Sequence, residues 1–127
     1  MKEAAIQAEI RKNLCRGNVR LFRNNVGAAK DAAGRLVRYG LAKGSADLIG
    51  WVSKEITSAD IGKTIAQFAS IEVKSATGAV RPEQTNWAQV VTDAGGIAGV
   101  ARSVADAEKI ISHKQTTKNE QHNKSKN

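Results

Sequence analysis

A glutamate and a lysine two residues apart, Glu72 and Lys74, close the run Gln67-Phe68-Ala69-Ser70-Ile71-Glu72-Val73-Lys74. The apolar character of that run reads as a strand. Alternate side chains of a strand share a face, so Glu72 and Lys74 project together. A carboxylate and an ammonium there are costly to bury unless they have partners or work. Asp47, at the head of a second apolar run (Leu48-Ile49-Gly50-Trp51-Val52), offers a second carboxylate. Two carboxylates suit a hard divalent cation such as Mg²⁺ or Mn²⁺, and a lysine beside them can serve the attacking water. A bare Glu-x-Lys is weak by itself, since average composition supplies about half of one in a chain of this length. Its plain alternative is a salt bridge at a solvated strand end.

The elements that must position these groups follow from periodicity. Residues 2–16 read as an amphipathic helix, with Ile6, Ile10 and Leu14 at helical spacing and Gly17 as the stop. Glu3 and Gln7 lie at the edge of that apolar face, best placed to point into a shared cleft. Residues 18–24 read as a first strand. Residues 26–44 read as a long glycine-rich loop, an uncommon feature that is often functional. Residues 46–52 form a second strand, expected to pair with a third over 64–74. Pro82 opens a helix running to about Ala94, with Trp87, Val90 and Val91 as its buried face. Gln84, one turn in, can lean back over the same site as Asp47, Glu72 and Lys74. Residues 97–102 are a fourth strand, and Ser103 caps a last helix with Val104, Ala107, Ile110 and Ile111 at core spacing. The order αβββαβα is an α/β fold with a small mixed sheet flanked by helices.

Composition narrows the function. The 127 residues suffice for one domain, expected over 1–112. The net charge is +8, and it is unevenly spread. Residues 1–50 hold ten Lys and Arg against four Asp and Glu, whereas 51–112 hold six against seven. The basic field of the first part suits a phosphate backbone. It includes Arg23, Lys30, Arg35, Arg38 and Lys43, with Asn25 in the polar strand exit Arg23-Asn24-Asn25-Val26-Gly27. Residues 113–127 carry no apolar anchor and read as a disordered basic tail. A single cysteine, Cys15, excludes an internal disulfide and a cysteine-based zinc site. With no signal region and no membrane-length apolar stretch, a cytoplasmic protein is expected.

The series Gly44-Ser45-Ala46-Asp47, Ile71-Glu72-Val73-Lys74, Gly78 with Pro82-Glu83-Gln84, and Gly95-Gly96 before Val100-Ala101-Arg102-Ser103 resembles the virus-type replication–repair nuclease domain, VRR-NUC. That family belongs to the PD-(D/E)xK nucleases, which share a restriction-endonuclease-like core. The resemblance runs from about Ile6 to Ile111. It implies that Asp47 and Glu72 are metal-binding acids, with the backbone carbonyl of Val73 completing the shell. It implies that Lys74 positions or deprotonates the water, and that Gln84 helps hold the lysine and the phosphate. Glu3 or Gln7 falls where the family's first helix supplies a polar group. Ala46 stands where the superfamily has proline, which leaves the metal ligands intact.

The activity so implied is Mg²⁺-dependent (or Mn²⁺-dependent) hydrolysis of DNA phosphodiesters by an endonuclease of stand-alone phage or prophage type. Small members resemble Holliday-junction resolvases, which act as homodimers, because symmetric cutting of a four-way junction needs two sites on a two-fold axis. Two other readings stand beside it: a monomeric flap or nicking nuclease on branched DNA, and a non-catalytic DNA-binding module. The intact Asp47, Glu72 and Lys74 set argues against the last.

Overall fold

The computed structural model describes residues 2–112, so the expected basic tail lies outside the described residues. The chain divides into two compact units, Met1–Gly62 and Lys63–Asn127.

The first unit begins with helix α1 (Glu3–Leu14). Its alanines and long straight side chains favour helix, Glu3 lies in the first turn, and Arg11 and Lys12 lie in the last, as the helix dipole prefers. Strand β1 (Val19–Arg23) follows. The next segment departs from expectation. It is not a plain loop but a β-hairpin of β2 (Gly27–Lys30) and β3 (Leu36–Tyr39). Asp31 builds its turn: Oδ1 accepts from the amides of Ala33 (2.9 Å) and Arg35 (2.8 Å), and Oδ2 accepts from Arg35 Nε (3.0 Å). Gly34 takes φ 78°, a left-handed angle that favours glycine. Strand β4 (Leu48–Val52) then runs antiparallel to β1, from Val19↔Val52 to Arg23↔Leu48. Phe22 and Trp51 meet diagonally across this ladder with ring centroids 5.4 Å apart. A single 3₁₀ turn at Ser58–Asp60 follows in the polar connection.

The second unit is a β-α-β unit with a closing helix. Strand β5 (Ala69–Val73) and strand β6 (Ile97–Ala101) pair in parallel, which requires the crossover that helix α2 (Pro82–Asp93) supplies. Pro82 occupies the first helical position. Helix α3 (Val104–Ile111) starts at Ser103, whose hydroxyl accepts from Asp106 N (3.1 Å), while Asp106 Oδ2 accepts from Arg102 N (2.9 Å).

Three expectations change. The strand read over 64–74 is confined to Ala69–Val73, because β6 offers only five ladder partners. The 46–52 strand was expected to take that third strand as its partner, but its ladder is with β1. The hairpin adds two strands to the expected order. The stripes read as core also differ. The side of α1 that meets β1 is the half-buried row Gln7, Arg11, Cys15: Arg11 Nε donates to Leu21 O (3.2 Å), and Cys15 Sγ accepts from Leu21 N (3.3 Å). Ile6, Ile10 and Leu14 lie one residue over and remain exposed. On α2 only Val91 is fully buried, and on α3 Val104 and Ile111 stay open.

Burial therefore concentrates on Val91 and on Ala101 of β6. Val91→Ala removes two methyl groups from a filled site and is expected to cost about 2 kcal/mol, whereas the neighbouring, half-exposed Val90→Ala should cost under about 1 kcal/mol. Urea unfolding midpoints of the two variants check this ordering.

Candidate active site

Glu72, Lys74 and Gln84 come together in the second unit. Glu72 sits in β5 opposite Val100, and Lys74 follows the strand with its amide bonded to Ala101 O (3.0 Å). Strand alternation puts the two side chains on one face, and Lys74 Nζ lies 3.6 Å from Glu72 Oε1. Val73, between them, points away and is largely exposed. The Lys74 side chain keeps 14% of its surface and that of Glu72 keeps 39%, so the pair is neither sealed in nor fully solvated.

Gln84 is the third residue of α2, and both ends of its carboxamide are used. Its Oε1 accepts from Arg81 N (3.0 Å), which satisfies an otherwise unpaired amide at the helix start. Its Nε2 donates to Glu72 Oε1 (2.8 Å). A backbone N–H can only donate, so the oxygen must face Arg81 and the amide nitrogen must face Glu72. Both contacts to Glu72 thus fall on Oε1, and Oε2 takes no hydrogen bond from the described residues. Glu72 and Gln84 line one side of a pocket of about 140 Å³ whose other walls include Val80, Trp87, Ala98 and Val100. Trp87, read from sequence as part of a buried face, is partly exposed there and donates from Nε1 to Ser70 Oγ (2.8 Å). The exit from the Glu72-Val73-Lys74 segment is pinned by Arg102, whose Nη1 donates to Ser75 O (2.5 Å).

Asp47 lies in the first unit, immediately before β4. Its carbonyl accepts from Asn24 N (2.8 Å), while its exposed carboxylate takes no hydrogen bond or ion pair from the described residues. Asn24 is the residue that the sequence reading passed over. Its Nδ2 donates to Ser45 Oγ (2.7 Å) and Ala46 O (3.0 Å), and its Oδ1 accepts from Leu41 N (3.1 Å). One side chain therefore ties the end of β1, the base of the hairpin and the segment leading to Asp47. A signal for it existed in the strand exit Arg23-Asn24-Asn25, since asparagine offers both donor and acceptor where a strand ends.

The remaining candidates also fall in the first unit. Glu3 is exposed in the first turn of α1, and Gln7 is half-buried on the row that meets β1. Arg23, Asn25, Lys30, Arg35, Arg38 and Lys43 are all exposed. Arg35 is held by Asp31 at 3.0 Å, so its guanidinium is partly engaged. No group of three or more His, Cys, Asp or Glu side chains gathers among the described residues.

No curated protein and no solved structure matches the chain. The profile of the VRR-NUC domain does, over residues 1–105. That span holds Asp47, the Glu72-Val73-Lys74 strand, Gln84 and β6, and it covers most of the 127 residues. The chain therefore belongs to the VRR-NUC family of nucleases.

Proposed function

We propose that this protein is a Mg²⁺-dependent (or Mn²⁺-dependent), structure-selective DNA endonuclease that hydrolyses phosphodiester bonds in branched DNA and acts as a homodimer on four-way junctions. The observation that carries the reading is the Glu72, Lys74 and Gln84 cluster, inside a chain of a nuclease family.

The donor set suits a hard divalent ion. Glu72 Oε2 is open, and the Asp47 carboxylate is exposed and unpaired among the described residues. Asp47 in the first unit, and Glu72 with the Val73 carbonyl in the second, are each the kind of oxygen donor that such an ion takes. When bound, the ion supplies positive charge against the phosphoryl group and an acidified water. The chain's own groups do the rest. Gln84 fixes one oxygen of Glu72, which leaves the other as the ligand. Lys74 Nζ orients the attacking water. That water's oxygen bonds to phosphorus as the opposite P–O bond breaks, leaving a phosphate monoester on one strand end and a hydroxyl on the other. Asn24 holds the backbone at Asp47 and so serves as a positioning residue. The exposed cations of the first unit contact phosphates without regard to sequence. Apolar side chains left open on α1 and α3 support self-association. No helix among the described residues is long and apolar enough to cross a membrane, and a cytoplasmic site of action fits a DNA substrate.

Glu72→Gln and Asp47→Asn should each lower Mg²⁺-dependent cleavage of a four-way junction by on the order of 10³-fold while DNA binding persists. Cleavage that survives Asp47→Ala or Lys74→Ala would sink the nuclease assignment. Gln84→Ala should cost about 10- to 100-fold, as expected for a group that orients a ligand. Asn24→Ala is expected to raise the Mg²⁺ concentration needed for half-maximal rate; a purely structural loss would lower Tm without moving that midpoint. Light scattering at micromolar concentration should give a dimer, and a monomer would remove the basis for symmetric cutting.

A further inference from the structure

The β2–β3 hairpin has two chemically different faces. Residues directly opposed in an antiparallel ladder share a face. The register Ala28↔Arg38 and Lys30↔Leu36 therefore places both cations of the hairpin strands on one side. Gly27↔Tyr39 and Ala29↔Val37 occupy the other. Tyr39 and Val37 are about half exposed. A Cβ at Gly27 would overlap the ring of Tyr39, so only glycine lets that ring lie across the strand. The hairpin is held at both ends, by Asp31 in its turn and by Asn24 Oδ1 on Leu41 N at its base.

We propose that this hairpin is a DNA-branch reader that wedges between two strands, its Lys30–Arg38 face taking the phosphates of one while Tyr39 on the other face stacks on an unpaired base of the second. Charge complementarity commits the Lys30–Arg38 face to a polyanion. Residues 27–43 hold Lys30, Arg35, Arg38 and Lys43 against Asp31 alone, and Asp31 is already engaged by Arg35. The chemistry of the apolar face chooses the form of DNA. Tyr39, Val37, Ala29 and Gly27 present no guanidinium, carboxamide or carboxylate to read base edges in a groove. An exposed, seated aromatic ring instead offers a stacking surface, which is useful only where a base has left the duplex stack. Through Asn24 the hairpin base is joined to the backbone at Asp47, so a branch seated on the hairpin is coupled to that acid. The inference rests on the DNA-nuclease reading and supplies its means of choosing branched substrates.

The test is fluorescence anisotropy with the full chain, using a splayed-arm fork and its linear duplex, with Ca²⁺ replacing Mg²⁺ so that binding is read without cutting. Tyr39→Ala should reduce the fork-over-duplex affinity ratio about tenfold, within the range measured for one base stacked on an aromatic side chain. Tyr39→Phe, which keeps the ring, should preserve the ratio. Gly27→Ala, which keeps the tyrosine but unseats it, should reduce the ratio as Tyr39→Ala does. Arg38→Gln should weaken both DNAs alike and lower the salt slope by about one. The proposal is overturned if Tyr39→Ala leaves the ratio unchanged in a variant with wild-type circular dichroism, or if Tyr39→Phe is as damaging as alanine. Should the wild type show this binding pattern yet cut neither DNA with Mg²⁺ or Mn²⁺, the branch reader stands and the nuclease assignment falls.

Discussion

The carboxamide of Gln84 is the constraint on which the geometry around Glu72 depends. It satisfies a backbone N–H at the start of α2 and holds one oxygen of Glu72. The two bonds cannot be exchanged, because the helix start needs an acceptor and the carboxylate needs a donor. The acid is thus coupled to the crossover helix rather than left on a free strand end. A glutamate in the same place would bring a second charge to Glu72 and no donor. The position therefore requires the amide, and Lys74 adds the compensating positive charge on the same face.

Asn24 does the corresponding work in the first unit. It too uses both ends of a carboxamide, with its backbone amide adding a bond to Asp47 O. In the first unit the carboxamide holds backbone near the acid, whereas in the second it holds the helix start at Arg81 and the acid's own Oε1. Short loops and turns carry many unpaired backbone groups, and a single carboxamide satisfies several at once. Beside Asn24 the main chain of Asp47 is held while its carboxylate takes no hydrogen bond from the described residues, whereas Gln84 takes one oxygen of Glu72 and leaves the other.

Much of what makes these units cohere is polar, since little is fully buried beyond Val91 and Ala101. Apolar residues on α1, α3 and the hairpin stay exposed. Helix boundaries were legible because their signals are local. Pro82 at a first turn and Ser103 as a cap each act within a few residues, whereas α1, read as running to residue 16 before Gly17, ends at Leu14 with Cys15 as its cap. The hairpin was not legible, because Gly27-Ala28-Ala29-Lys30 has no apolar alternation and weak strand propensity. Its formation depends on the Asp31 turn and on pairing with β3.

By itself, the sequence determined the residue types at the site, their order, the basic character of the first half and the family. These properties survive as strings, since the spacing of Asp47, Glu72, Lys74 and Gln84 does not depend on packing. Tertiary structure decided which strand pairs with which, which face of α1 meets β1, and how Gln84 divides its amide between helix and acid. It also decided that Asn24 matters and that Tyr39 lies seated on Gly27. The physical reason is that hydrogen bonds and close contacts form between residues distant in sequence. Which of several possible partners a polar group takes is settled only when the chain has brought them within reach.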